Sequence, residues 1–315
     1  MTGFWAGLGT KLAEKGILLI LTPAFAFWGG GVAAWAWDRG WHDGWEHLGD
    51  RITALSGAEQ FALSVGAIVL VTVSGVTVER ATLPLLRLFE GYWPACLDST
   101  RARIVSWRSR RIARLQQDRD ALAAKIAERK ATADEQRRHL VLDRRLRRIP
   151  TESRDDVLIR RMPTAVGNIL RAAESWPADK YGLDAVKCWP RLWLALPESA
   201  RGELTSARAA LDASATVVVW SLLFVVWSVW AWWAAPAGLV VAVAAYRILL
   251  TSAAVYGDLL EATFDVHRRL LYEAAGWPLP RSPAEERALG EALTEYLWRG
   301  SDASAPIFRT PNREQ

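Results

Sequence analysis

The longest uncharged run in the chain lies between Asp212 and Arg247, and after that one arginine ten more uncharged residues precede Asp258. As a single helix, residues 213 to 246 would rise about 50 Å, well beyond the ~30 Å hydrocarbon core of a bilayer. The run must therefore fold back on itself. Ala-Ala-Pro-Ala-Gly at 234 to 238 supplies a break through Pro236 and Gly238, so the pattern predicts two antiparallel membrane helices, 213–234 and 237–257, joined by a tight turn. Two earlier stretches, 16–37 and 60–78, are also free of charge, and predict helices that span the bilayer over 16–37 and 61–83.

Between these two spans the pattern changes. Trp41, Trp45, Leu48, Ile52 and Leu55 recur at steps of four and three, which places them on one face of an amphipathic helix within 38–60 that should lie along the outer membrane surface. His42, Asp43, Glu46 and His47 share this helix, and their i,i+4 pairs could each offer two ligands to a divalent metal. The two histidines are five residues apart and do not share a face well, so a solvated polar face is the simpler reading. No cofactor and no metal site is expected.

From about Ser99 to Arg148 the chain is charged, with Ile112, Leu115, Leu122 and Ile126 at seam-like positions that Arg119 and Arg129 interrupt. A long helix or a helical hairpin follows, not a sustained coiled coil. Farther on, Pro163-Thr164 opens a helix that should end by Pro177, Tyr181-Gly182-Leu183-Asp184 reads as a turn, and Pro197 closes a second apolar stretch. Beyond 257 the fourth span should continue into a tail in which Ser282, Pro283 and Glu285 open a last helix that stops at Gly300.

The spans explain a composition of 51% hydrophobic residues with 18 tryptophans in 315 residues, which is unlike an ordinary soluble pair of domains. Lys11 and Lys15 before the first span invite a signal-peptide reading, but the apolar run is long and Trp35-Ala36-Trp37 replaces a small-residue cleavage site, so an anchor is expected. Charge then sets orientation. Residues 38–59 hold only Arg39 and Arg51 as basic residues, whereas most of the chain's 39 lysines and arginines fall between Leu85 and Ser214, the mark of a cytoplasmic segment. The tryptophan clusters Trp35, Trp37, Trp41, Trp45 and Trp227, Trp230, Trp232, Trp233 fall at the opposite, outer face on the same topology.

The expectation is thus an all-α protein of the cell membrane with four transmembrane helices in two hairpins and both termini cytoplasmic. Residues 1–15 form a cytoplasmic N-terminus, 84–212 an inserted cytoplasmic helical domain and 258–315 a helical cytoplasmic tail. Cys96 and Cys188 would lie in a reducing compartment as free thiols.

Arg144, Arg145, Arg147 and Arg148, followed by Arg154, Arg160 and Arg161, invite a nucleic-acid reading. Interspersed acids such as Asp118, Asp120, Glu128 and Asp143, and the lack of a binding module, argue against it; attraction to anionic headgroups already accounts for such charge beside a bilayer. Within the spans, Arg247 stands about 15 Å inside the outer end of the fourth, a costly place for a guanidinium unless it faces protein or water. Matching depths puts Thr72 and Ser74 near it, while Glu79 and Arg80 sit near the inner end of span two. Hydroxyls beside a midplane arginine suit an anion-permeable pore, while hydrogen bonds to backbone carbonyls in a tight bundle, or snorkelling, account for the arginine more simply.

The leading functional expectation is a homo-oligomeric channel whose cytoplasmic helices gate or assemble it; the alternative is a non-conducting scaffold that recruits a cytoplasmic protein partner. An enzyme is not expected, since His139 and His267 lie near no nucleophile or metal signature and no catalytic residue stands out. The strings GNILRAAE, YGLDAVKCWPRL and GWPLPRSPAEERALGEALTEYLWRG, in 162–199 and 264–300, resemble segments of an uncharacterised multi-pass membrane protein family of high-GC actinobacteria. That resemblance implies a multi-pass membrane protein and no particular activity or site residue.

Overall fold

The computed structural model of the chain describes residues 15–150, 161–300 and 306–308, and for residues 15–21 the backbone alone. Every regular element among the described residues is helical. In order these are α1 (Lys15–Asp38), α2 (Trp41–Thr53), α3 (Gly57–Glu90), a 3-10 turn (Ala95–Leu97), α4 (Asp98–Ala127), α5 (Ala133–Arg147), α6 (Ala165–Tyr181), α7 (Ala185–Ala195), α8 (Glu198–Phe224), a 3-10 segment (Val225–Val229), α9 (Ala234–Ala274) and α10 (Pro283–Arg299). Three helical stretches among the described residues, Gly57–Ala127, Glu198–Val229 and Ala234–Ala274, are long and apolar enough to cross a membrane. The expected span at 16–37 is helical in α1, but it falls partly outside the residues with described side chains.

The chain divides into two compact units, Met1–Leu86 with Ala210–Leu249 and Arg87–Ala209 with Leu250–Gln315. In the first, Ala24, Val71 and Trp220 are buried together and Phe27, Trp28 and Val78 pack around them. The glycines of α1 make this approach close: a β-carbon at Gly30 would lie 2.3 Å from the Phe224 ring. Trp37 stands 6.4 Å from Trp233 and 6.5 Å from Trp41, and Trp41 stands 5.7 Å from Trp45, so tryptophans of α1, α2 and the α8–α9 connection meet at one end of this unit. Trp41, Trp45 and Ile52 of α2 are exposed, leaving its apolar face open.

The hairpin turns earlier than the sequence pattern placed it. The helix α8 ends at Phe224, the 3-10 segment tightens the chain, and the turn is made where Trp230 and Ala231 both donate to the Trp227 carbonyl, at 3.0 and 3.1 Å. Pro236 then falls in the first turn of α9. A proline is harmless there because the backbone N–H it lacks would have had no partner within the helix. Gly238 likewise lies within α9.

In the second unit α4 and α5 form the helical hairpin, burying Val105, Ile112 and Leu122 of one and Leu142 and Leu146 of the other. Thr132 starts α5 with a capping box: its hydroxyl accepts from the Glu135 N–H at 3.3 Å and its own N–H donates to the Glu135 carboxylate at 2.9 Å. The Lys125 ammonium donates to the same carboxylate at 2.7 Å, and these bonds hold it down at about 2.

The main core of this unit gathers Leu183, Cys188, Leu192, Phe264, Leu271, Tyr272 and Leu293 from α7, α9, α10 and the turn before α7. Pro177, expected to end a helix, lies inside α6 instead, and Pro190 lies inside α7. Pro177 is buried one turn from the end of α6, where its carbonyl accepts from the Leu183 N–H at 3.2 Å as Gly182, at φ 72°, reverses the chain. Ser282, with Pro283 next to it, caps α10 as the sequence suggests.

Tyr272 is fully buried, and its hydroxyl has no hydrogen-bond partner among the described residues. An unsatisfied buried hydroxyl costs about 1–3 kcal/mol, while its removal keeps the ring packing. Tyr272→Phe should therefore leave the thermal unfolding midpoint of the detergent-solubilised protein unchanged or higher; a fall equivalent to more than about 1 kcal/mol would show that the hydroxyl is bonded.

Candidate functional site: an arginine-lined cavity

The stripes of α4 and α5 beside their shared core make a cavity, and Ile112 belongs to both. Trp107, Arg108, Arg111, Ile112 and Leu115 on α4 follow helical spacing, as do Val141, Arg144, Arg145 and Arg148 at the α5 end. Between them they bound an open cavity of about 620 Å³, closed further by Ile149, the first turn of α6 (Ala165, Asn168, Ile169) and Leu250 and Thr251 of α9. Among the described residues, five arginines line it and no aspartate or glutamate does.

The supporting residues fix the walls. Asn168 donates to the Met162 carbonyl at 2.8 Å and the Thr164 carbonyl at 2.7 Å, and accepts from the Met162 N–H at 2.9 Å, so its amide is spent on holding the entry to α6. Thr164 caps α6 by accepting from the Gly167 N–H at 3.0 Å and anchors it by donating to the Glu90 carbonyl at 2.9 Å. The positive end of the α6 dipole therefore faces the same space as the guanidiniums. Arg148 approaches Asp258 at 3.9 Å, a long and exposed pair that leaves most of its charge available. Arg108 is half-buried, whereas Arg111, Arg144, Arg145 and Arg148 are exposed.

Such an arrangement favours an anion. Guanidinium groups present forked donors that match phosphate or carboxylate oxygens, and several from different helices can surround one group. The lining has a volume typical of small-molecule sites, about 300–1,000 Å³, and a small-molecule cavity is a poor platform for extended nucleic acid.

The polar residues singled out within the spans lie elsewhere. Thr72, Glu79, Arg80 and Arg247 are exposed on the single chain, and none of them lines this cavity. Ser74 is engaged internally, accepting from the Trp28 indole at 3.1 Å and donating to the Val71 carbonyl at 2.9 Å. Of the basic cluster, Arg144, Arg145 and Arg148 line the cavity while Arg147 does not; Arg161 is buried, and Arg154 and Arg160 lie outside the described residues. Sequence reasoning did not pick out Arg108 and Arg111. The signal was there in their spacing from Ile112 and Leu115, but which helix face meets α5 is a tertiary fact.

His42, Asp43, Glu46 and His47 are exposed on α2, and among the described residues no three His, Cys, Asp or Glu side chains gather as a metal site. No family model, curated protein or solved structure matches the chain.

Proposed function

We propose that this is an integral membrane protein whose helical unit, built around α4 to α7 and α10, binds an anionic ligand in the arginine-lined cavity and acts as a non-conducting scaffold. The carrying observation is five arginines on the walls of one cavity, with no acidic residue among the described residues that line it. Guanidinium donors from both walls can then converge on a phosphate or carboxylate group. Calorimetric titration of the purified full chain with inorganic pyrophosphate tests this reading. Saturable binding that weakens as salt rises supports it, and the absence of heat at millimolar pyrophosphate refutes it.

Orientation follows the charge asymmetry, with both termini and the arginine-rich unit in the cytoplasm of a cell whose plasma membrane holds the spans. Cysteine labelling checks it. Cys96 is exposed, whereas Cys188 is buried and burial pushes its thiol up to about 11, so almost none is thiolate at neutral pH. A membrane-impermeant maleimide should modify neither cysteine in intact cells, Cys96 alone after permeabilisation, and Cys188 only on unfolding. Labelling of Cys96 from outside would invert the topology.

A second reading, a homo-oligomeric and anion-permeable channel, is favoured by one feature. Arg247, Thr72, Glu79 and Arg80 are exposed on the single chain, and only 11% of the apolar window in Gly57–Ala127 is buried. Exposure of a charged side chain to lipid costs at least ~2.5–3.5 kcal/mol, which a second copy or a water-filled pore relieves. Conductance in planar bilayers, with anion preference reduced by Arg247→Ala, would establish the channel; an intact oligomer that never conducts leaves the scaffold.

A further inference from the structure

We infer that the anion taken by the arginine-lined cavity is the phosphate headgroup of an amphiphile, with its acyl portion against the apolar wall. This rests on the anion-binding reading above and adds the ligand class. The lining is divided in character. Arg108, Arg111, Arg144, Arg145 and Arg148 supply charge, while Ile112, Leu115, Ile169 and Leu250 supply a surface that an inorganic phosphate cannot use. At about 620 Å³ the space far exceeds one phosphate group, so a ligand that filled only the charged part would leave apolar wall in contact with water.

The sequence at the wall says where such a ligand comes from. Leu250 and Thr251 stand about 10–12 Å of helix rise before Asp258, within the uncharged residues 248–257, so this part of the wall lies on the apolar side of the boundary that Asp258 marks. A helix leaves the hydrocarbon at such a boundary, and there phosphate headgroups meet basic side chains. Trp107, 55% exposed on the α4 wall, is of the residue type that prefers this level. A single arginine beside a bilayer would say little; five around one cavity that also has an aliphatic wall define both halves of the ligand.

Native mass spectrometry of the detergent-solubilised full chain tests the inference with four probes: dioctanoyl phosphatidic acid, dioctanoyl phosphatidylcholine, glycerol 3-phosphate and inorganic pyrophosphate. Phosphatidic acid should be retained at least tenfold more tightly than glycerol 3-phosphate and than phosphatidylcholine. That preference should fall about tenfold in the Arg108→Gln/Arg145→Gln double variant, which removes the charge but keeps a polar side chain, and stay unchanged in Arg110→Gln, which lies outside the lining. Folding of each variant is followed by its elution as a single species.

If glycerol 3-phosphate or pyrophosphate binds as tightly as phosphatidic acid, the amphiphile is wrong and the anion reading stands. If no phosphate compound is retained, both fall. Equal retention of phosphatidylcholine, or retention of phosphatidic acid that ignores the two arginines, would identify unspecific annular lipid and overturn the inference.

Discussion

Gly290→Val should cost about 3 kcal/mol or more of stability and release α10 from its seat. A β-carbon at this position would lie 1.9 Å from the Tyr181 carbonyl oxygen and 3.2 Å from the Gly182 carbonyl carbon. Both are backbone atoms of a turn already fixed by Gly182 in the left-handed region, so neither can yield cheaply. The contact it would break is substantial. Thr294 donates to the Gly182 carbonyl at 3.1 Å and accepts from the Asp184 N–H at 3.2 Å, and Leu293 beside it is fully buried. Gly202→Ala is the control: it sits exposed inside α8 with nothing within 4 Å of its β-carbon position, so the same kind of change should stabilise by about 0.5–1 kcal/mol. Thermal unfolding of the two variants should move in opposite directions, and a neutral Gly290→Val would show that α10 does not pack on the α6–α7 turn.

Reversing charge in the cavity should have the second large effect. Arg144→Glu and Arg148→Glu each remove one potential phosphate donor and place a carboxylate on a wall that has none among its described residues. A charged hydrogen bond is worth ~1.5–3 kcal/mol, and discounting for the exposure of these two side chains leaves about tenfold in affinity for each truncation and more for each reversal. Pyrophosphate binding by the double variant should drop at least 100-fold, with the unfolding midpoint little changed because neither residue belongs to the α4–α5 core. Arg110→Glu makes the same charge change on α4 outside the lining. Equal losses from Arg110→Glu and from the double variant would mean that net charge, not the cavity, governs binding.

The helical class and the existence of long apolar helices were legible because both are local. Uncharged runs of bilayer length, helical spacing on α2 and the Ser282-Pro283 cap declare themselves within a few residues. The helix ends were less legible where proline was weighed too heavily. The pattern places boundaries at Pro177 and Pro236, yet Pro236 lies in a first turn, where the missing N–H has no partner within the helix, and Pro177 gives up one helical hydrogen bond inside α6 while its ring is fully buried. The Thr132-Ala133-Asp134-Glu135 capping pattern was readable too, and it would have placed the start of α5 and hence the hairpin.

The cavity was only half legible. Arg144, Arg145 and Arg148 stood out as a charge cluster, and charge beside a membrane has a sufficient general explanation. What changes their meaning is Arg108 and Arg111 opposite, with the first turn of α6 and Leu250 closing the space. That juxtaposition joins residues far apart in the chain, and no single-sequence periodicity encodes it. Arg247 shows the converse: a residue conspicuous in the sequence that takes no part in the cavity.

The most direct test is a single-particle reconstruction of the full chain equilibrated with saturating pyrophosphate. A compact density is expected between α4 and α5 within hydrogen-bonding reach of guanidiniums from both helices, among Arg108, Arg111, Arg144, Arg145 and Arg148. An empty cavity at saturation, or α5 held away from α4 so that the two arginine stripes do not face each other, would contradict it.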